Sequence, residues 1–176
     1  MCSSVPLKVC GFSGGISLLI PGYYLRIDKL KVWAGSVMKE YITKRVHELY
    51  WEKDINCART ALICLGELFE TAIEPQTILS AVGLHGAGGY GAQCGLVEGA
   101  LMFMGIYFHS LGKTETEIVS TCYNYASAFE NAFGSLRCAV LRPTGFSEND
   151  PPHLCETLTC EAIAFAYQYI SALTAN

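Results

Sequence analysis

Cysteines are the residues of this chain best suited to chemistry, and nine of them occur among 176 residues. A cysteine thiolate attacks disulfides and binds metals, and its formation is favoured at a helix start by free backbone N–H groups and the helix dipole. Five cysteines fall at or near predicted helix starts: Cys57, Cys94, Cys138, Cys155 and Cys160. If those starts meet at one end of a helical bundle, the cysteines form a multi-thiol site.

Cys94 is the leading candidate for the reactive thiolate. It lies in a glycine-rich stretch, G-L-H-G-A-G-G-Y-G-A-Q-C-G-L-V-E-G, which runs from Gly83 to Gly99 and leads into an apolar segment. Clustered glycines permit positive φ angles and close backbone approach. The stretch therefore predicts a tight loop that opens into a central helix.

The same loop contains the pattern G-x-G-x-x-G between Gly86 and Gly91, which dinucleotide-binding proteins also carry. That function requires a strand before the loop. Residues 76–84 have a helical pattern instead, so we do not favour nucleotide binding. An anion site at the start of the Cys94 helix stays open as an alternative.

Four charged or titratable side chains lie near these cysteines in sequence, and each has either a functional or a structural interpretation. His85 either stabilises a Cys94 thiolate or bonds the loop backbone, and the second is the more common use of such a residue. Glu98, one helical turn after Cys94, either relays a proton or is solvated. Arg59 and Arg137 either hold a thiolate or an anionic substrate, or are ordinary surface charges.

Metal binding is the alternative use of the same thiols, with an iron–sulfur cluster or zinc as the cofactor. The chain contains no C-x-x-C pair, so the usual chelating turn is missing, and no C-x-x-C-H for covalent haem. A metal site would have to be assembled from distant segments. No cofactor is certain from the sequence.

Composition limits the other classes of function. The net charge is −4 with no basic cluster, which argues against a nucleic-acid partner. No apolar run reaches the roughly 18–20 residues of a membrane span. The cysteine count is odd and no secretory signal is recognisable, so we expect a cytoplasmic, reducing setting. The oligomeric state is not predicted.

The hydrophobic periodicity predicts an all-α fold, a compact bundle of about five to six helices. Thr114 with Glu117 has the spacing of a capping box, and Gly134 is expected to end the helix that begins there. The predicted helices begin at Met38, Cys57, Pro75, Cys94, Thr114 and His153.

Residues 1–37 differ from the rest because they lack helical periodicity and are interrupted by glycine and proline. We divide the chain into an N-terminal extension, 1–37, and a helical cysteine domain, 38–176. The extension is an extra hairpin, a loose tail, or a translated upstream region with Met38 as the true start.

Four motifs occur in order and together resemble a known family. They are I-N-C-A at Ile55 to Ala58, C-G-L-V-E-G at Cys94 to Gly99, G-S-L-R-C at Gly134 to Cys138, and a cysteine that opens the last helix. This pattern resembles the C_GCAxxG_C_C family, which is marked by four cysteines and a C-G-A-x-x-G core. The resemblance covers residues 38–176, and it departs from the family at Leu96, where the family has alanine.

The resemblance implies thiol–disulfide electron transfer by Cys57, Cys94, Cys138 and a fourth cysteine. Cys160 is preferred as the fourth, with Cys155 as the alternative, and Cys94 is expected to attack while another cysteine resolves. The resemblance also implies an unidentified redox partner protein. Family members often occur among transporter genes, which implies a link to a transporter.

Overall fold

The computed structural model describes residues 15–20, 23–142, 150 and 153–174, and these divide into two compact units between Tyr41 and Ile42. The first contains an antiparallel hairpin of β1 (Gly15–Ile20) and β2 (Tyr23–Asp28), in which Gly15 pairs with Asp28 and Ile20 with Tyr23. Helix α1 (Lys29–His47) follows and runs into the second unit. An extra hairpin is one of the three alternatives expected for residues 1–37.

The named elements in the described residues of the second unit are all helices, which confirms the predicted all-α class. A π-helical segment, Glu48–Glu52, extends α1. The later helices are α2 (Cys57–Leu68), α3 (Pro75–Ser80), α4 (Gly86–Gly89), α5 (Gly95–Ser110), α6 (Glu115–Phe133), α7 (Cys138–Leu141) and α8 (Glu156–Thr174). Eight helical segments are described rather than five to six, because α4 and α7 are single turns that periodicity cannot detect. All four residues of α4 have positive φ, so this segment is a left-handed turn.

Helix α5 is the centre of this unit, as predicted, and packs against α2, α6 and α8. It is apolar on most sides because every neighbour buries part of it; Leu96, Val97, Phe103 and Met104 are all 2% exposed or less. Among the described residues, no helix is both long and apolar enough to cross a membrane.

Glycines set how closely α5 approaches α2. A Cβ added at Gly95 would lie 2.6 Å from the Cys57 sulfur, and one added at Gly99 would overlap the carbonyl oxygen of Ala58. Two glycines four residues apart therefore form the contact stripe of α5, and they bring its start against the start of α2.

Caps fix where the helices begin. Asn56 accepts a hydrogen bond from the Arg59 backbone N–H at 3.0 Å, while its amide donates to the carbonyl of Val82 at 2.7 Å. One side chain thus starts α2 and ties it to the segment after α3. The Thr114–Glu117 capping box is present at the start of α6, and Gly134 ends that helix in a left-handed conformation, as predicted.

Candidate functional site

A short backbone pairing brings Cys94 and Cys138 together although they are far apart in sequence. Gln93 and Arg137 form an isolated antiparallel bridge. The Cys94 N–H donates to the carbonyl of Leu136 at 2.8 Å, and the Cys138 N–H donates to that of Ala92 at 2.7 Å. Each cysteine then leaves the bridge directly into a helix, Cys94 as the N-cap of α5 and Cys138 as the first residue of α7.

The glycine-rich loop makes room for this pair. Gly86 has a φ of +69°, and a Cβ there would lie 3.0 Å from both the Cβ and the sulfur of Cys138. A side chain at this position would be strained and would press on the thiol. The glycine-rich loop therefore lets its own backbone lie directly against the Cys138 side chain.

The Cys94 thiol donates a hydrogen bond to the Cys138 sulfur, and both residues are buried, at 3% and 7% exposure. That hydrogen bond lowers the pKa of Cys138 to about 7, helped by the Arg142 guanidinium and opposed by burial. The pKa of Cys94 is raised, first because its proton is held by Cys138 and then by burial. The pKa of Cys138 is thus lowered and that of Cys94 raised by the same contact. The expected attack by Cys94 stays a prediction.

Cys57 lies beside the pair as the first residue of α2. Its pKa is raised to about 12, mainly by burial and also by the nearby Cys138 and Cys155 sulfurs. Neutral thiol is therefore its resting form at neutral pH. Its helix start does not overcome the loss of solvent.

The structure brings Cys155 to this cluster, and not Cys160. Cys155 lies in the turn before α8, within electrostatic range of both Cys138 and Arg142. Cys160 is hydrogen-bonded to the Thr43 side chain and lies near Glu156 and Glu161.

A cavity of about 240 Å³ opens next to the cluster. Its lining includes Tyr50, Cys57, His85, Arg142 and Cys155. Arg142 forms an ion pair with Asp150, which holds the guanidinium at the cavity wall. Two cysteines of the cluster, Cys57 and Cys155, therefore line the cavity.

The clustered cysteines, Cys57, Cys94, Cys138 and Cys155, are close enough to influence each other's pKa. In the part of the chain that the structure describes, no three side chains from His, Cys, Asp and Glu lie together in a way that could hold a metal ion. Metal binding by these thiols stays a prediction.

The other sequence candidates have separate surroundings. His85 contacts the Val82 carbonyl at 3.0 Å through Nδ1, which is the loop-bonding use expected for it. Glu98 is half-buried, and burial alone raises its pKa. Arg137 supplies backbone to the bridge, whereas the buried Nε of Arg59 has no hydrogen-bond partner among the described residues.

Two buried tyrosines, Tyr50 and Tyr125, complete the surroundings of the cluster. The helical spacing of apolar residues predicts that both pack in the core. The Tyr50 hydroxyl bonds the Thr159 hydroxyl at 2.6 Å and lies within electrostatic range of Cys57. Tyr125 is fully buried, and its hydroxyl has no hydrogen-bond partner among the described residues. Hydrophobic periodicity places such residues in the core, but it does not predict the hydrogen-bond partner of a tyrosine hydroxyl.

The comparisons with known proteins agree with the four motifs. No match was found among curated proteins or among solved structures. Residues 55–169 match the family described as "Putative redox-active protein (C_GCAxxG_C_C)", a range that contains all the clustered cysteines. Since the match covers more than half of the chain, this protein belongs to the C_GCAxxG_C_C family.

Proposed function

We propose that this protein is a two-electron thiol–disulfide oxidoreductase in which Cys94 and Cys138 cycle between dithiol and disulfide. The observation that supports this most directly is the hydrogen bond from the Cys94 thiol to the Cys138 sulfur across a paired backbone. A dithiol already held in contact needs little rearrangement to form a disulfide. The family description, redox-active, is consistent with this chemistry.

The reaction proceeds in two exchanges. The Cys138 thiolate attacks one sulfur of a substrate disulfide, which forms a mixed disulfide and releases the first substrate thiolate. That thiolate takes the proton of Cys94. The Cys94 sulfur then attacks Cys138, the mixed disulfide breaks, and the second substrate sulfur leaves and takes a proton from solvent. The substrate gains two electrons and two protons, and the protein gains a disulfide.

The surroundings suit Cys138 for the first attack. A thiol with a pKa near the ambient pH combines a useful thiolate fraction with good nucleophilicity. Arg142 stabilises that thiolate, and the cavity beside Cys57 and Cys155 admits a small disulfide. We further propose a cytoplasmic setting, where thiol pools keep the pair reduced between turnovers.

The test is to incubate the reduced protein, without oxygen, with bis(2-hydroxyethyl) disulfide and to map disulfides by mass spectrometry. We expect a Cys94–Cys138 disulfide in the unaltered chain. Cys138→Ser should abolish the reaction at this pair. Cys94→Ser should instead stop at the mixed disulfide on Cys138, because the resolving thiol is missing.

Cys160→Ser is the control, since Cys160 is half-buried and lies outside the cluster. It should react like the unaltered chain. Full turnover in Cys94→Ser would count against the proposal. Stoichiometric zinc or iron in anaerobically purified protein would favour the metal-binding alternative, and would show that the four thiols are ligands in solution.

A further inference from the structure

One side of α5 is covered less than the others. Helices α2, α6 and α8 pack against this 16-residue helix, and half of its residues are buried. At about 100° per residue, six of the other eight positions fall on a single side. We call this side the outer stripe; it consists of Glu98, Leu101, Met102, Gly105, Ile106 and His109. His109 is exposed and the others are half-buried, so the stripe is apolar in the middle and carries a titratable group at each end.

Gly105 lies near the middle of the outer stripe, and no contact within the described chain accounts for it. A Cβ added there would meet nothing within 4 Å, whereas Gly95 and Gly99 are needed for the contact with α2. A glycine inside a helix costs roughly 0.5–1 kcal/mol relative to alanine. Its missing side chain leaves a notch on the surface of α5, and a side chain from another molecule can enter it.

Glu98 and His109 stand at opposite ends of the outer stripe. Neither side chain has a hydrogen bond or an ion pair with any other described residue. Glu98 is half-buried, and burial raises its pKa with no neighbouring cation to offset the effect. Each group suits its own end of the helix dipole, but the dipole does not require the two to share one side of the helix.

The outer stripe is complementary to itself when it is turned end for end. An antiparallel pairing of two copies of α5, with a two-fold axis between positions 103 and 104, brings Glu98 opposite His109 of the second copy. Met102 then lies opposite Gly105 of the second copy, and its flexible side chain can fill the notch. The two remaining apolar residues of the stripe lie at equal heights in the same way. Apolar residues thus meet apolar ones, and a carboxylate meets an imidazole N–H that can donate to it.

We propose that two copies of this chain associate through their outer stripes, with their α5 helices antiparallel about a two-fold axis. Each contact of this pairing is made twice. One pair of helices buries less area than a standard interface, so we expect a Kd of roughly 1–100 μM. At about 1.5 Å per residue, the two Cys94 residues are about 29 Å apart along the helices. The redox sites therefore stay separate, and this inference does not depend on the proposed function.

The experiment is sedimentation velocity of the full chain between about 1 and 500 μM, a range that brackets the expected Kd. Dithiothreitol is present, so that no disulfide links two chains. We expect a reversible equilibrium between monomer and dimer. His109→Glu should raise the Kd at least tenfold, because two pairs of carboxylates then face each other. Glu98→His combined with His109→Glu exchanges the two groups, and should bring the Kd back to within about threefold of the unaltered chain.

Ser110→Glu is the matched control. It adds the same charge at the next position of the same helix, where the residue is also exposed but lies about 100° around the axis from His109. The Kd of this variant should equal that of the unaltered chain. Gly105→Ala places a Cβ in the notch and should raise the Kd, although the monomer itself loses no contact.

A chain that stays monomeric at every concentration would overturn the inference. Equal weakening of the dimer by Ser110→Glu and His109→Glu would also overturn it, because the contact would then not follow the outer stripe. So would a double variant whose Kd stays as high as that of His109→Glu, because Glu98 would then not face His109 of the second copy.

Discussion

Two sulfurs that share one proton determine the chemistry at the scale of single residues. Cys94 and Cys138 are both buried, so neither would ionise readily alone. In contact, the thiol of Cys94 replaces the water that a Cys138 thiolate would otherwise need. The hydrogen bond from Cys94 is the main cause of the low pKa of Cys138, and the Arg142 guanidinium also lowers it.

The low pKa of Cys138 predicts a pH profile. The rate at which iodoacetamide alkylates Cys138 should increase with pH, and the midpoint of this increase should lie near the pKa of about 7. In Cys94→Ala the hydrogen bond to the thiolate is missing, so the pKa of Cys138 and the midpoint of the profile should both rise. The profile is measured by mass spectrometry of the Cys138 peptide at a series of pH values.

Cys160→Ala is the control for that profile and should leave the midpoint near 7. An unchanged midpoint in Cys94→Ala would contradict the shared proton, and would assign the low pKa of Cys138 to Arg142 alone. Arg142→Met separates these contributions, because the loss of the cation should raise the midpoint while the hydrogen bond from Cys94 is kept.

At the scale of elements, the site depends on how closely α5 lies against α2. Gly95 and Gly99 permit a backbone contact that any larger residue would obstruct. The contact positions the Cys57 sulfur at the start of α5, next to Cys94. The two glycines of the C-G-L-V-E-G motif are therefore required for packing. They affect the site because they set the distance between the first turns of α2 and α5, which carry Cys57 and Cys94.

Gly99→Ala should lower the free energy of unfolding by about 1–3 kcal/mol, because its Cβ would overlap the Ala58 carbonyl and force the helices apart. Gly105→Ala is the matched control on the same helix. A Cβ at Gly105 meets nothing within 4 Å, so this change should raise stability by up to about 1 kcal/mol. Urea unfolding followed by circular dichroism measures both, and equal effects of the two changes would contradict the packing argument.

At the scale of the whole molecule, every cysteine of the cluster belongs to the unit from Ile42 onward. That unit begins inside α1, where Ile42 and Val46 are buried at 1% and 0% exposure. The redox pair, its cavity and the tyrosines beside it all derive from this one helical unit. None of these residues belongs to the first unit, Met1–Tyr41.

A fragment spanning Met38–Asn176 should therefore fold and form the Cys94–Cys138 disulfide with bis(2-hydroxyethyl) disulfide at the rate of the full chain. A fragment that begins at Trp51 should not fold stably, since it lacks the buried Ile42, Val46, Leu49 and Tyr50. Circular dichroism and disulfide mapping test both. Loss of the disulfide in the longer fragment would show that the first unit contributes to the site.

Periodicity and capping patterns predicted much of this fold, because the signals are local: the Thr114–Glu117 box and the apolar run of α5 need no tertiary information. Motif spacing placed Cys57, Cys94 and Cys138 at helix starts for the same reason. The choice between Cys155 and Cys160 depends on the rotation of α8 against the bundle, which the sequence does not contain. The hydroxyl of Tyr125 and the position of the shared proton depend on contacts between helices, so they could not be predicted either.

The backbone bridge between Gln93 and Arg137 links redox state to folding. A disulfide from Cys94 to Cys138 would close a loop of about 45 residues, and in the chain-entropy view such a closure stabilises the native state by ~4 kcal/mol relative to the open chain. The bridge holds the two cysteines near each other only in the folded chain. By thermodynamic linkage, the fold favours the disulfide as much as the disulfide favours the fold. The pair is thus harder to reduce in the folded protein than in the same chain unfolded.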